Sequence, residues 1–93
     1  MKYSFVYIMT NTYRTTFYIG AITNLEKRIT EHANGTGAQF TKKYNLKDLI
    51  YFEKLTDVNQ AIDRENQLKN WHKDWKINLI KKKNPKLETL KIM

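Results

Sequence analysis

Cysteine is absent from this chain, so neither a disulfide nor a thiolate-held zinc site can stabilise it. Histidine occurs twice, at His32 and His72, too few for a four-ligand structural zinc centre. No apolar run approaches the roughly 20 residues that a membrane span needs. The N-terminus lacks the basic-then-apolar pattern of a secretory signal. These absences predict a soluble, cytoplasmic protein with no membrane partner. Acidic residues are also scarce, 9 against 17 basic ones, for a net charge of +8. From Asn66 onward eight lysines face only Asp74 and Glu88, so +6 of that excess lies in the last 28 residues. A one-sided basic field attracts polyanions, of which nucleic acid is the commonest inside a cell. A lysine-rich solvated face would explain the charge alone equally well. The 93 residues suffice for one domain, and a domain this small must pack its core efficiently.

Residues 3–9 are rich in aromatic and β-branched types and read as a strand. Residues 10–15 read as a hairpin connection and 16–22 as a second, antiparallel strand. Gly20, near its end, marks a bulge or a close approach to the backbone. Thr23 and Glu26 have capping-box spacing and start a helix near Asn24. Leu25, Ile29 and Ala33 form its apolar stripe, and Asn34-Gly35 ends it. Residues 35–46 read as a loop and 48–54 as a third strand. Asp57 caps a long helix with Val58, Ala61, Ile62, Leu68 and Trp71 on its inner side. A last helix over about 73–82 carries Trp75, Leu79 and Ile80, and Asn84-Pro85 breaks it. The expected fold is α+β: a small three-stranded antiparallel sheet flanked by helices, in the order β-β-α-β-α-α. One domain over 1–84 is followed by a short tail, 85–93.

Arg28 and His32 are four apart and share a helix face. Arginine offers a fixed fork of donors for phosphate oxygens, and histidine can move a proton near neutral pH. Each is also ordinary on a surface helix. Glu65 falls on or beside the apolar stripe, four residues after Ala61. A carboxylate there is costly unless paired or metal-bound. Its bland role is an ion pair with Arg28 or a lysine. Its chemical role is to hold Mg²⁺ or Mn²⁺, which one carboxylate can do when waters and phosphate oxygens complete the shell. Tyr7 and Tyr18 are strand aromatics, usually core residues. Their neighbours Val6, Ile8, Phe17 and Ile19 have the opposite pleat, so both phenols can emerge on the other face. Phe5 and Tyr3 share the side of Tyr7.

Together these residues resemble the GIY-YIG nuclease superfamily, and most closely its small stand-alone single-domain bacterial members. The resemblance is carried by Phe5-Val6-Tyr7, Phe17-Tyr18-Ile19-Gly20, Glu26 through His32, and Arg64-Glu65. It extends through Asn84-Pro85. The first triplet lacks its glycine and keeps only the tyrosine. No lysine sits just after the second triplet.

The resemblance implies a small antiparallel sheet with flanking helices and metal-dependent hydrolysis of DNA phosphodiesters, with roles in repair or recombination. Tyr7 and Tyr18 match the tyrosines of the two triplets. Arg28 would contact the scissile phosphate, His32 would assist proton transfer, and Glu65 would be the single metal ligand. Gly20 and the late Asn84 are further candidates. Lys27, Lys69, Lys73, Lys76, Lys81, Lys82 and Lys83 would hold the DNA backbone. Such contacts set position and salt dependence rather than base choice. The expected substrate is DNA, cut with low sequence specificity or by shape, such as a nick or branch, with RNA left open. A free tyrosine has a pKa of about 10 and is a poor base at neutral pH. Nearby cations would favour phenolate, so both Tyr7 and His32 stay candidates for the base. The competing readings are a non-catalytic nucleic-acid-binding module of the same fold, and an adaptor that docks through Trp71, Trp75 and the tail.

Overall fold

The computed structural model describes residues 3–23 and 46–90. Three strands, β1 (Ser4–Thr10), β2 (Phe17–Ile22) and β3 (Asp48–Leu55), form one sheet in the order β2-β1-β3. Both pairings are antiparallel. Two helices follow, α1 (Val58–Lys69) and α2 (Lys73–Lys83). Among the described residues the order is therefore β-β-β-α-α. The helix expected from about Asn24 to Asn34-Gly35 lies outside them, as does almost all of the loop expected after it.

Pleating divides the central strand between two faces. Val6 and Ile8 point to one side, where they pack with Ile19, Ile50, Tyr51, Ala61, Leu68 and Ile80. Tyr7 and Met9 point to the other, with Leu46 and Leu49, and with Phe5, Tyr18, Ile22, Phe52 and Leu90 at the margin. Both faces of β1 are buried, which explains its nearly unbroken apolar run. The β1–β3 register shifts between Ile8 and Met9, so that Ile8 pairs with Tyr51 and Met9 with Leu49. The extra residue, Ile50, lets neighbours Ile50 and Tyr51 both join the helix-side cluster.

Asp57 caps α1 as expected: its side chain accepts from the Gln60 N–H at 2.9 Å. The inner face is narrower than the sequence predicts. Ala61 and Leu68, seven residues or two turns apart, are buried, whereas Val58 and Ile62 are exposed. Trp71 lies just beyond the helix, whose C-cap is Asn70, and is only half-buried. Trp75, expected with Leu79 and Ile80 on the apolar side of α2, is 55% exposed. The physical reason is orientation: α1 lies across β2 and β1, whereas α2 leans towards β3 and buries Ile80 alone. α2 stops at Lys83, before Asn84-Pro85.

The tail beyond α2 is bound to the sheet. Leu87 joins the helix-side cluster and Leu90 the opposite one. The Leu90 N–H donates to the Leu49 carbonyl at 2.7 Å. Arg14, in the β1–β2 hairpin at φ 58°, ties three segments together. Its guanidinium donates to Asp48 at 2.5 Å, the Leu87 carbonyl at 2.9 Å and the Thr89 hydroxyl at 3.0 Å. Those bonds offset the cost of a left-handed non-glycine backbone.

Candidate active site

Tyr7 sits on the central strand, flanked in register by Gly20 of β2 and Phe52 of β3. Its ring leans over Gly20. A Cβ at position 20 would stand 2.5 Å from the Tyr7 Cζ, inside any real contact distance. The glycine is therefore a steric requirement: it leaves the groove that the phenol occupies. This is the close approach that the sequence anticipates. Tyr18 lies on the same face of β2, with its ring centroid 6.3 Å from that of Tyr7 and the planes tilted by 43°. Both tyrosines lie on the face opposite Val6, Ile8 and Ile19, as strand alternation predicts. Tyr7 is nonetheless only 2% exposed, while Tyr18 is half-buried.

Glu65 is on α1, four residues after Ala61 and three before Leu68, so it borders the face that packs on the sheet. Its side chain is only 19% exposed and faces the Lys69 ammonium at 3.6 Å. This is the ion pair with a lysine that its position allowed. At that separation the pair is not a hydrogen bond, so the carboxylate keeps acceptor capacity. A hard divalent ion needs oxygen donors of this type, and Glu65 fits that chemistry. Among the described residues no group of three or more His, Cys, Asp and Glu side chains forms a metal cluster. Of the expected centre, the structure brings Tyr7, Tyr18 and Gly20 together. It sets Glu65 on the helix that covers the other face. Arg28, His32 and Lys27 lie outside the described residues.

The basic residues differ in their partners. Lys73 donates to the Thr15 carbonyl at 2.8 Å and lies 5.7 Å from the Phe17 ring centroid. Lys83 lies 5.5 Å from the ring centroid of Tyr51. Lys81 and Lys82 are exposed, and Lys76 is half-buried. Asn84 is buried, and its amide makes three hydrogen bonds. It donates to the Ile50 carbonyl at 3.0 Å and the Glu88 carbonyl at 2.7 Å, and it accepts from the Glu88 N–H at 3.1 Å. In this structure it holds the tail to β3.

One network went unread in the sequence. Arg64, the residue before Glu65, grips Glu53 of β3 with two hydrogen bonds of 2.9 Å. Tyr51 donates its hydroxyl to the same carboxylate. Burial alone pushes the Glu53 carboxyl up, but hydrogen bonds from Arg64 and Tyr51 outweigh it and hold the group below its ordinary value. Burial, and then the bond to Glu53, push the Tyr51 phenol well above its ordinary value. A signal was available: Tyr51 and Glu53 are two apart on a strand and share a face.

A small antiparallel sheet with Tyr7 over Gly20, Tyr18 beside it, and a shielded carboxylate on the first described helix after the sheet is the arrangement to set beside known domains. The chain belongs to the GIY-YIG family: the model of the GIY-YIG catalytic domain matches residues 3–78. Its relatives include UPF0213 proteins. One from Clostridium perfringens is 39% identical over 71 residues, covering 76% of each chain. One from Syntrophus aciditrophicus is 35% identical over 86 residues, covering 91% of this chain and 97% of its own. The solution NMR structure of a UPF0213 protein from Bacillus halodurans superposes with a TM-score of 0.58 at 25% identity. It covers 90% of this chain and 88% of its own. No helix among the described residues is long and apolar enough to cross a membrane.

Proposed function

We propose that this chain is a divalent-metal-dependent DNA endonuclease that hydrolyses phosphodiester bonds with little base readout. The observation that carries this reading is the Tyr7–Gly20–Tyr18 arrangement, within a chain whose family is defined by a catalytic domain. β2 is an edge strand of the described sheet, and the Tyr7 ring leans towards it. A phosphate bound along that edge would lie between the phenol face and α1, which packs across β2. Glu65 would hold the metal, and Arg28, on the helix expected over 24–34, would neutralise charge building on the phosphate. Tyr7 would accept the proton of the attacking water, with Tyr18 or His32 orienting that water. A bound Mg²⁺ or Mn²⁺ would supply Lewis-acid stabilisation of the leaving oxygen.

The test is a nuclease assay over a panel of linear, nicked, flapped and branched DNA with Mg²⁺ or Mn²⁺. Glu65→Ala and Arg28→Ala should abolish cleavage while DNA binding survives. Undiminished metal-dependent turnover in either variant would refute the assignment. No cleavage of any substrate by the wild-type chain would leave a binding module of the same fold.

A further inference from the structure

Trp75 is the largest side chain on the described surface that is more than half exposed. Leaving an indole in water forfeits burial that most tryptophans obtain. It is not loose. Its ring makes edge contacts with Trp71 (centroids 6.0 Å apart, 82°) and His72 (5.3 Å, 84°). Trp71 in turn packs into the helix-side cluster, with the Arg64 guanidinium 5.4 Å from its ring centroid. The exposed ring is thus propped on a chain of contacts that runs back into the core. A rigid aromatic with few torsions loses little entropy on binding.

The surroundings are basic. α2 carries five lysines against Asp74, and the exposed Lys82, seven residues or about two turns after Trp75, shares its face. Fixed aromatic rings interleaved with lysines make a surface for unpaired bases, whose π-faces stack while the cations track the backbone. A duplex hides those faces, and a purely apolar protein partner would not need the cations. Trp71 also lies close in sequence to the proposed metal carboxylate.

We infer that Trp75, supported by Trp71 and His72, is a stacking platform for an unpaired nucleotide of the nucleic-acid substrate. This deepens the nuclease reading and rests on it only for the presence of nucleic acid. It gives the chain a means of preferring flaps, gaps or single strands over intact duplex.

The experiment measures binding without chemistry: anisotropy of a labelled oligothymidine, and of a duplex of equal length, with no divalent ion present. Trp75→Ala should weaken oligothymidine binding by about tenfold and leave duplex binding within about twofold. Trp75→Phe, which keeps a ring, should restore most of the loss. Equal affinity of Trp75→Ala and wild type for oligothymidine would overturn the platform. So would an equal loss on both ligands. Self-association of the wild type that Trp75→Ala abolishes and oligothymidine does not compete would assign the patch to a second copy instead. Because no cleavage is read, an inactive wild type that still shows the Trp75 effect would sink the nuclease reading and spare this one.

Discussion

Gly20 and Tyr7 show what one missing methyl group can decide. The ring of Tyr7 fills the space that a Cβ at position 20 would need, and β1 is packed on both faces. Gly20→Ala must therefore displace the phenol or open the β1–β2 ladder. Overpacking of this kind costs about 1–3 kcal/mol, so urea unfolding should show a lower midpoint. Cleavage should fall even where the variant stays folded, because the phenol is moved. Tyr7→Phe is the complementary change. It removes one hydroxyl, keeps the ring over Gly20, and should leave the unfolding free energy within about 1 kcal/mol of wild type. If Tyr7 is the proton acceptor, cleavage should drop by at least about a hundredfold. Normal cutting by the folded Tyr7→Phe variant would transfer that role to His32.

At the scale of elements, Arg64 fastens α1 to β3 through Glu53, in a setting where both side chains are largely shielded. Arg64→Ala would leave the shielded Glu53 carboxylate with the Tyr51 hydroxyl and the charge of Lys83 only. The loss should be about 2 kcal/mol at neutral pH. The folded state holds Glu53 below its ordinary 4.5, so its contribution is present above that value and is lost as pH falls through the lowered one. In the variant the guanidinium no longer opposes burial, which favours the protonated form more than in wild type. The stability gap between wild type and variant should therefore narrow in acid, as unfolding at neutral pH and at about pH 4 would show. At the alkaline end the sign reverses. Tyr51 is raised above its ordinary 10.0 in the folded protein, so its contribution is lost as pH rises past that value.

These elements also show what the sequence made legible. The strands were visible because aromatic and β-branched runs are local signals, and Asp57 because a cap acts three residues away. The phenol face followed from period two. The inner face of α1 did not, since Val58 and Ile62 satisfy the helical stripe yet face water. Which part of an apolar stripe is covered depends on how the helix lies on its sheet. Trp75 failed for the same reason. The Arg64–Glu53 grip joins residues eleven apart on different elements, and no spacing rule within one element could reveal it.

At the scale of the whole molecule, the last described residues bind its two faces together. Between Lys83 and Leu90 the chain leaves the helix side, where Leu87 packs, and reaches the phenol side, where Leu90 joins the cluster of Tyr7 and Tyr18. Asn84 makes this turn possible by satisfying the Ile50 and Glu88 carbonyls and the Glu88 N–H at once. Asn84→Ala would take a partner from the buried Ile50 carbonyl and from the part-buried Glu88 carbonyl and N–H, at a cost of about 1–3 kcal/mol. That cost should fall first on the tail, because β1 and β2 keep all their ladder bonds. Amide exchange should separate the two. The Leu90 N–H, bonded to Leu49, should exchange much faster in Asn84→Ala, while the amides that pair β1 with β2 keep their protection. Cleavage should fall less than in Tyr7→Phe, since Leu90 only borders the phenol cluster. Unchanged exchange at Leu90 would show that the Arg14 bonds to Leu87 and Thr89 hold the tail without Asn84.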